Sequence, residues 1–88
     1  MSGTDKEFPG YALQIIKDAG EEPEVRKAAI NRFVGFMNYH AVAKSRRDEF
    51  MSVIRKLAAT EDARADSLRG LAQQVSAYIQ ANAASFPQ

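Results

Sequence analysis

The side chains with most to offer chemically lie near the middle of the chain. Arg32, Tyr39, His40, Lys44, Arg46 and Arg47 all fall within "RFVGFMNYHAVAKSRR". Cations interleaved with aromatic rings can neutralise phosphates while the rings stack on bases. They can equally meet carboxylates on an acidic protein surface. The charge distribution sets this stretch apart. Residues 25–47 carry six bases (Arg26, Lys27, Arg32, Lys44, Arg46, Arg47) and no acid, whereas residues 1–24 are net −4 and residues 48–88 net −1. The whole chain is only +1, which is weak for a dedicated nucleic-acid binder. The plain reading of the block is a solvated loop whose charges aid solubility. Among functional readings a protein partner, acidic where it meets the block, comes first, and phosphates gripped by Lys44, Arg46 and Arg47 are the alternative.

Catalysis has little to work with. Nucleophilic chemistry needs a nucleophile, a base within reach and a group to orient it. The chain has no Cys and a single His, His40. No second His or Cys stands at metal-ligand spacing, and no Gly-rich phosphate loop appears. Glu21, Glu22 and Glu24 are clustered, but acids there stabilise the positive end of a helix. No catalytic residue, metal site or cofactor is expected, and the chain is not read as an enzyme.

The elements that must position the basic block read as helices throughout. Pro9 can open a first helix over about 9–19, with Tyr11, Ala12, Ile15, Ile16 and Ala19 at helical spacing and Gly20 at its stop. Pro23 opens a second, striped by Val25, Ala29, Phe33, Phe36 or Met37 and His40, and widened by Ile30 and Val34. A stripe that broad implies contacts on more than one side. Gly35 inside it suggests a close crossing with another helix. Ser45 with Asp48 resembles a capping box and predicts a third helix over about 46–59, buried through Phe50, Ile54, Leu57 and Ala58. Thr60 can cap a fourth, running to about 83 through Leu68, Leu71, Ala72, Val75, Tyr78 and Ile79. Lys44, Arg46 and Arg47 then fall in and just after the loop between the second and third helices. No alternating pattern supports a strand. The reading is all-α: one helical domain over 9–83, a disordered segment over 1–8 and a tail over 84–88, on which Phe86 could dock.

The four helices pair off. Residues 15–37 laid over 53–75, an offset of 38, match Ile16 with Ile54, Arg26 with Arg64, Ile30 with Leu68, Phe33 with Leu71 and Met37 with Val75. The register puts Phe33 and Leu71 inside their hairpins. "EPEVRKAAINRF" resembles the turn and second helix of a HEAT-type repeat, through Pro23, Val25, Arg26, Ala29 and Phe33. Ala63, Arg64, Ser67 and Leu71 match in the second copy, which lacks the Pro. The offset is near the usual repeat length of about 40–47 residues. The resemblance covers residues 11–79 and implies two antiparallel helix hairpins stacked into a short HEAT-like array or four-helix bundle. It also implies that Arg26 packs along its hairpin turn rather than meeting a ligand. Gly20 and Ala58 stand where that family usually carries a turn Asp.

Two repeats leave two ends, and an apolar end must be covered. An isologous homodimer is expected on that ground. The apolar runs fall far short of the ~20 residues that span a bilayer, and "MSGTDKEFPG" lacks the pattern of a signal peptide. The expectation is a small cytoplasmic protein-interaction module, of adaptor or inhibitor type. It would bind through a helix face and the basic corner, with no membrane partner.

Overall fold

Prolines, caps and apolar periodicity set the helices, and the computed structural model describes residues 2–87, with side chains from residue 7. Among the described residues are four α-helices: α1 (Ser2–Lys17), α2 (Pro23–Tyr39), α3 (Lys44–Ala58) and α4 (Asp66–Asn82). Short 3₁₀ turns at Ala63–Ala65 and Ala83–Ser85 flank α4. α2 starts at Pro23, whose absent N–H is unneeded there, with Glu24 at the positive end of the helix.

Three boundaries differ from the sequence reading. α1 begins at Ser2, and Pro9 sits inside it, so residues 2–8 of the segment expected to be disordered are helical, and Met1 lies outside the described residues. Pro9 is itself buried, and Phe8 beside it packs on Phe36 of α2, ring centroids 4.9 Å apart. α3 starts at Lys44 with Ala43 as its cap and no capping side chain. Ser45 and Asp48 are therefore not a capping box: Asp48 takes the Lys44 ammonium at 3.1 Å instead. Thr60 does not cap α4, which starts at Asp66 after Ala65 with no capping side chain. Asp62 caps the 3₁₀ turn before it, its carboxylate accepting from the Arg64 N–H.

α1 packs on α2 and α3 on α4, and the two hairpins meet through α1 against α3 and α2 against α4. The core lies where all four converge. Leu13 and Ile16 of α1 meet Ile30, Phe33 and Met37 of α2, Phe50 and Ile54 of α3, and Leu68, Ala72 and Val75 of α4. Phe33 and Phe50 stack at its centre, 4.1 Å between centroids and 8° from parallel. Phe86 folds back, buried, with its ring edge toward Tyr78.

The register of 38 holds at three of its apolar pairs, Ile16 with Ile54, Ile30 with Leu68, and Met37 with Val75, all buried. It fails at the fourth. Phe33 is buried, but Leu71 is only half-buried. The arginine pair also divides. Arg26 is 9 % exposed, and its Nε and Nη2 donate to the Ile16 carbonyl at 2.9 and 2.7 Å. It thereby closes the end of α1 against the start of α2. The Arg64 side chain is 91 % exposed and pairs with Asp62. In the second hairpin the comparable work falls to Arg69 and Gln73, which donate to the Thr60 and Ala58 carbonyls.

The molecule measures 38 × 28 × 18 Å. Its thin dimension is about two helix layers at 8–10 Å between axes, so each helix keeps an outward face. Gly35 lies on that of α2. A Cβ there would meet nothing within 4 Å, so among the described residues no helix crosses it closely.

Candidate functional site

The apolar positions that do not reach the core gather on one face. Tyr11 is 60 % exposed, Ile15 36 % and Val25 40 %. Periodicity placed all three on the apolar stripes of their helices, because the helical repeat marks an apolar arc without saying which part faces a neighbour. With Phe8, Ala28 and Arg32 they line a groove of about 200 Å³ between α1 and α2, on the side facing away from the second hairpin. Exposed apolar side chains gathered around one furrow leave apolar area in water, which is unfavourable for an isolated chain.

Of the six residues picked out in the sequence, Arg32 alone lines this groove. Arg32 stands at one end, its guanidinium carbon 5.9 Å from the centre of the Phe8 ring, within range of a cation–π attraction. Phe8 packs on Phe36, and Phe36 stacks on the His40 ring at 4.5 Å. Arg32, Phe8, Phe36 and His40 thus form one cation-and-ring column. Neither phenylalanine was marked in the sequence as a site residue. Phe8 precedes Pro9, where no helix was expected, and Phe36 alternated with Met37 for a core position that Met37 takes. Tyr39 ends α2 almost fully in solvent, at 81 % exposure. His40 follows as the helix cap and is exposed.

Lys44, Arg46 and Arg47 occupy the first turn of α3, not a loop. Three cations at the positive end of a helix oppose its dipole, and nearby acids offset them. Lys44 pairs with Asp48. Arg46 reaches Glu49 at 3.5 Å, and Glu49 also holds Lys17 of α1 at 2.7 Å. Arg46 lies over the α1 backbone as well, where a Cβ on Gly10 would come within 3.4 Å of its Nη2. The Nε of Arg47 is enclosed without a hydrogen-bond partner among the described residues. Two of the three cations are thus committed to carboxylates of their own chain.

The hydrogen bond from Lys17, with the attraction of Lys17 and Arg46, holds the Glu49 carboxyl below the usual carboxylate range despite the opposing effect of burial. A lowered carboxyl stabilises the fold fully above its unfolded value, and that contribution is lost as pH falls through the folded value. The wild-type melting temperature should therefore decline with acid below the ordinary glutamate range, and Glu49→Gln should flatten that decline. Melting curves across the acid range check this, and identical slopes for the two proteins would contradict it.

A second groove, about 330 Å³, lies between α2 and α4 and is lined by Asn31, Val34, Leu71, Gln74, Val75 and Tyr78. Its walls are more polar in residue type, and Tyr78 donates across it to the Asn38 side chain at 3.1 Å. Among the described residues no group of three His, Cys, Asp or Glu side chains is placed to hold a metal ion. None of the described helices is long and apolar enough to cross a membrane. No family model, curated protein or solved structure matches the chain.

Proposed function

We propose that this chain is a small, non-enzymatic, cytoplasmic protein-interaction module that docks a protein partner on the α1–α2 face. One observation carries the reading: Tyr11, Ile15 and Val25 stand exposed around a single groove. Burying such side chains yields about 25 cal/mol per Å² of apolar area removed from water, which is a driving force for association. The basic corner formed by Lys44, Arg46 and Arg47 would lie at the rim of the contact, where charge governs association rate more than affinity.

The test compares wild type with Tyr11→Ser/Ile15→Ser and with Arg55→Ser, a change on exposed α3. Proteins co-purifying with the chain from cells are quantified by mass spectrometry. Partners lost in the double variant, retained in Arg55→Ser and accompanied by unchanged helical circular dichroism support the face. Equal recovery from all three proteins would sink it.

The nucleic-acid alternative predicts that Lys44→Ala/Arg46→Ala/Arg47→Ala flattens the log–log salt slope of duplex binding by about 0.9 per phosphate neutralised. The ion pairs of Lys44 and Arg46 favour the protein reading. The expected result is no sub-micromolar duplex binding at physiological salt. A salt-sensitive dissociation constant below that level, lost in the triple variant, would reverse the order of the two readings.

A further inference from the structure

We propose that the occupant of the α1–α2 face is a second copy of this chain, with α2 crossing its symmetry mate antiparallel about Ala28 so that Glu24 of each copy meets Arg32 of the other. The proposal rests on the reading of that face as a docking surface and names what docks there.

The argument begins with symmetry. In an isologous dimer, if residue i touches j, then j touches i. A two-fold axis perpendicular to a helix at one residue pairs positions equally far on either side of it. At Ala28, that rule pairs Arg32 with Glu24. Residues four apart share a helix face, so Glu24, Ala28 and Arg32 form one stripe. All three are exposed, and the charges at its two ends are opposite. The stripe is therefore complementary to its own antiparallel copy. A parallel copy would set like charge against like.

The surroundings agree. At the centre stands Ala28, whose small side chain lets two backbones approach. Farther along the same face is Gly35, where an added Cβ would meet nothing within 4 Å among the described residues. Among the described residues Glu24 pairs with Lys27, its own neighbour on the helix, at 3.2 Å, and its side chain is 80 % exposed, open to a further partner. Arg32 leans on Phe8 at the groove's far end. Tyr11 and Ile15 flank the stripe and are covered when the two faces meet.

Size sets the strength. The 17 residues of α2 span about 25 Å. A face two helices wide and that long can bury on the order of 600 Å² per copy, near the lower bound for a specific interface. The dimer should accordingly form in the micromolar range rather than be permanent.

The experiment is sedimentation equilibrium of the full chain from low micromolar to several hundred micromolar. The wild type should move from 9.7 kDa toward twice that mass. Glu24→Arg and Arg32→Glu should each weaken dimerisation about tenfold or more, and the combined exchange should restore it to within a few-fold. Melting of each variant separates loss of fold from loss of contact, since only a paired contact is rescued by the double exchange. A wild type that stays monomeric throughout overturns the proposal. So does a dimer indifferent to the single changes, or one that the double exchange fails to restore. A photo-crosslinking residue at position 15, used in cells, distinguishes this failure from failure of the docking surface itself. An adduct of twice the chain mass supports the second copy. An adduct of another mass overturns the second copy and keeps the surface, and no adduct overturns both.

Discussion

Phe33→Ala should destabilise the fold by about 3–5 kcal/mol, the range for removing a buried aromatic and leaving a cavity. Phe33 is buried and stacks on Phe50 where the two hairpins meet. The change therefore removes the transfer energy of one ring and the packing partner of another. A domain of this size has only about 5–15 kcal/mol to lose, so the variant should be near its stability limit. The repeat register would extend the same loss to Leu71. The structure places Leu71 half-buried at the edge of the α2–α4 groove, where truncation can be filled by solvent and costs about 1 kcal/mol. Urea unfolding of the two variants measures the difference. Equal midpoints would mean that Leu71 is as deep as its position in the repeat implies.

Arg26→Ala should cost about 2–3 kcal/mol. A hydrogen bond from a charged donor contributes about 1.5–3 kcal/mol, and a buried carbonyl deprived of its donor adds a desolvation penalty. Arg26 gives two such bonds to one acceptor, the Ile16 carbonyl, at a helix end whose last carbonyls have no partner within the helix. Arg26→Lys should recover only part of the loss, because an ammonium cannot reproduce the planar fork of the guanidinium. Arg64→Ala, at the matching position, should leave the melting temperature unchanged, since that side chain is in solvent. Thermal melts of the three variants decide whether Arg26 alone has the structural role. A similar drop for Arg64→Ala would show that both turns depend on their arginine.

How much of this was legible in the sequence depended on whether the cause was local. Pro23 and the acids around it announced α2 because they act on the residues beside them. The 3.6-residue period found Ile16, Ile30, Phe33, Ile54 and Leu68, since burial of a helix imposes that period. It took Tyr11 and Ile15, which are exposed, and passed over Leu13, which is buried, because only the packed neighbours decide which arc is covered. The start of α3 was hidden for an energetic reason. Three cations at a positive helix end are unfavourable, and what offsets them includes Glu49, tied to Lys17 in a different helix. Of the six residues marked as the site, Arg32 lies on the groove, and Tyr39 and His40 are exposed just beyond its end. Lys44 and Arg46 pair with Asp48 and Glu49 at helical spacing, whereas the tie of Glu49 to Lys17 is invisible in the sequence.

The way each helix packs first on its neighbour in the chain also shapes how the protein is born. Both hairpins are local in sequence, and chains dominated by local contacts fold in microseconds to milliseconds. Synthesis, at about 5–20 residues per second, is far slower. The first hairpin can thus form while the second is still being made, and it then waits on the order of seconds for α3 and α4. During that interval the inner faces of Ile16 and Phe33 lie open along with the outer groove, leaving the half-made chain apolar on two sides. Its most adhesive moment comes before it is finished.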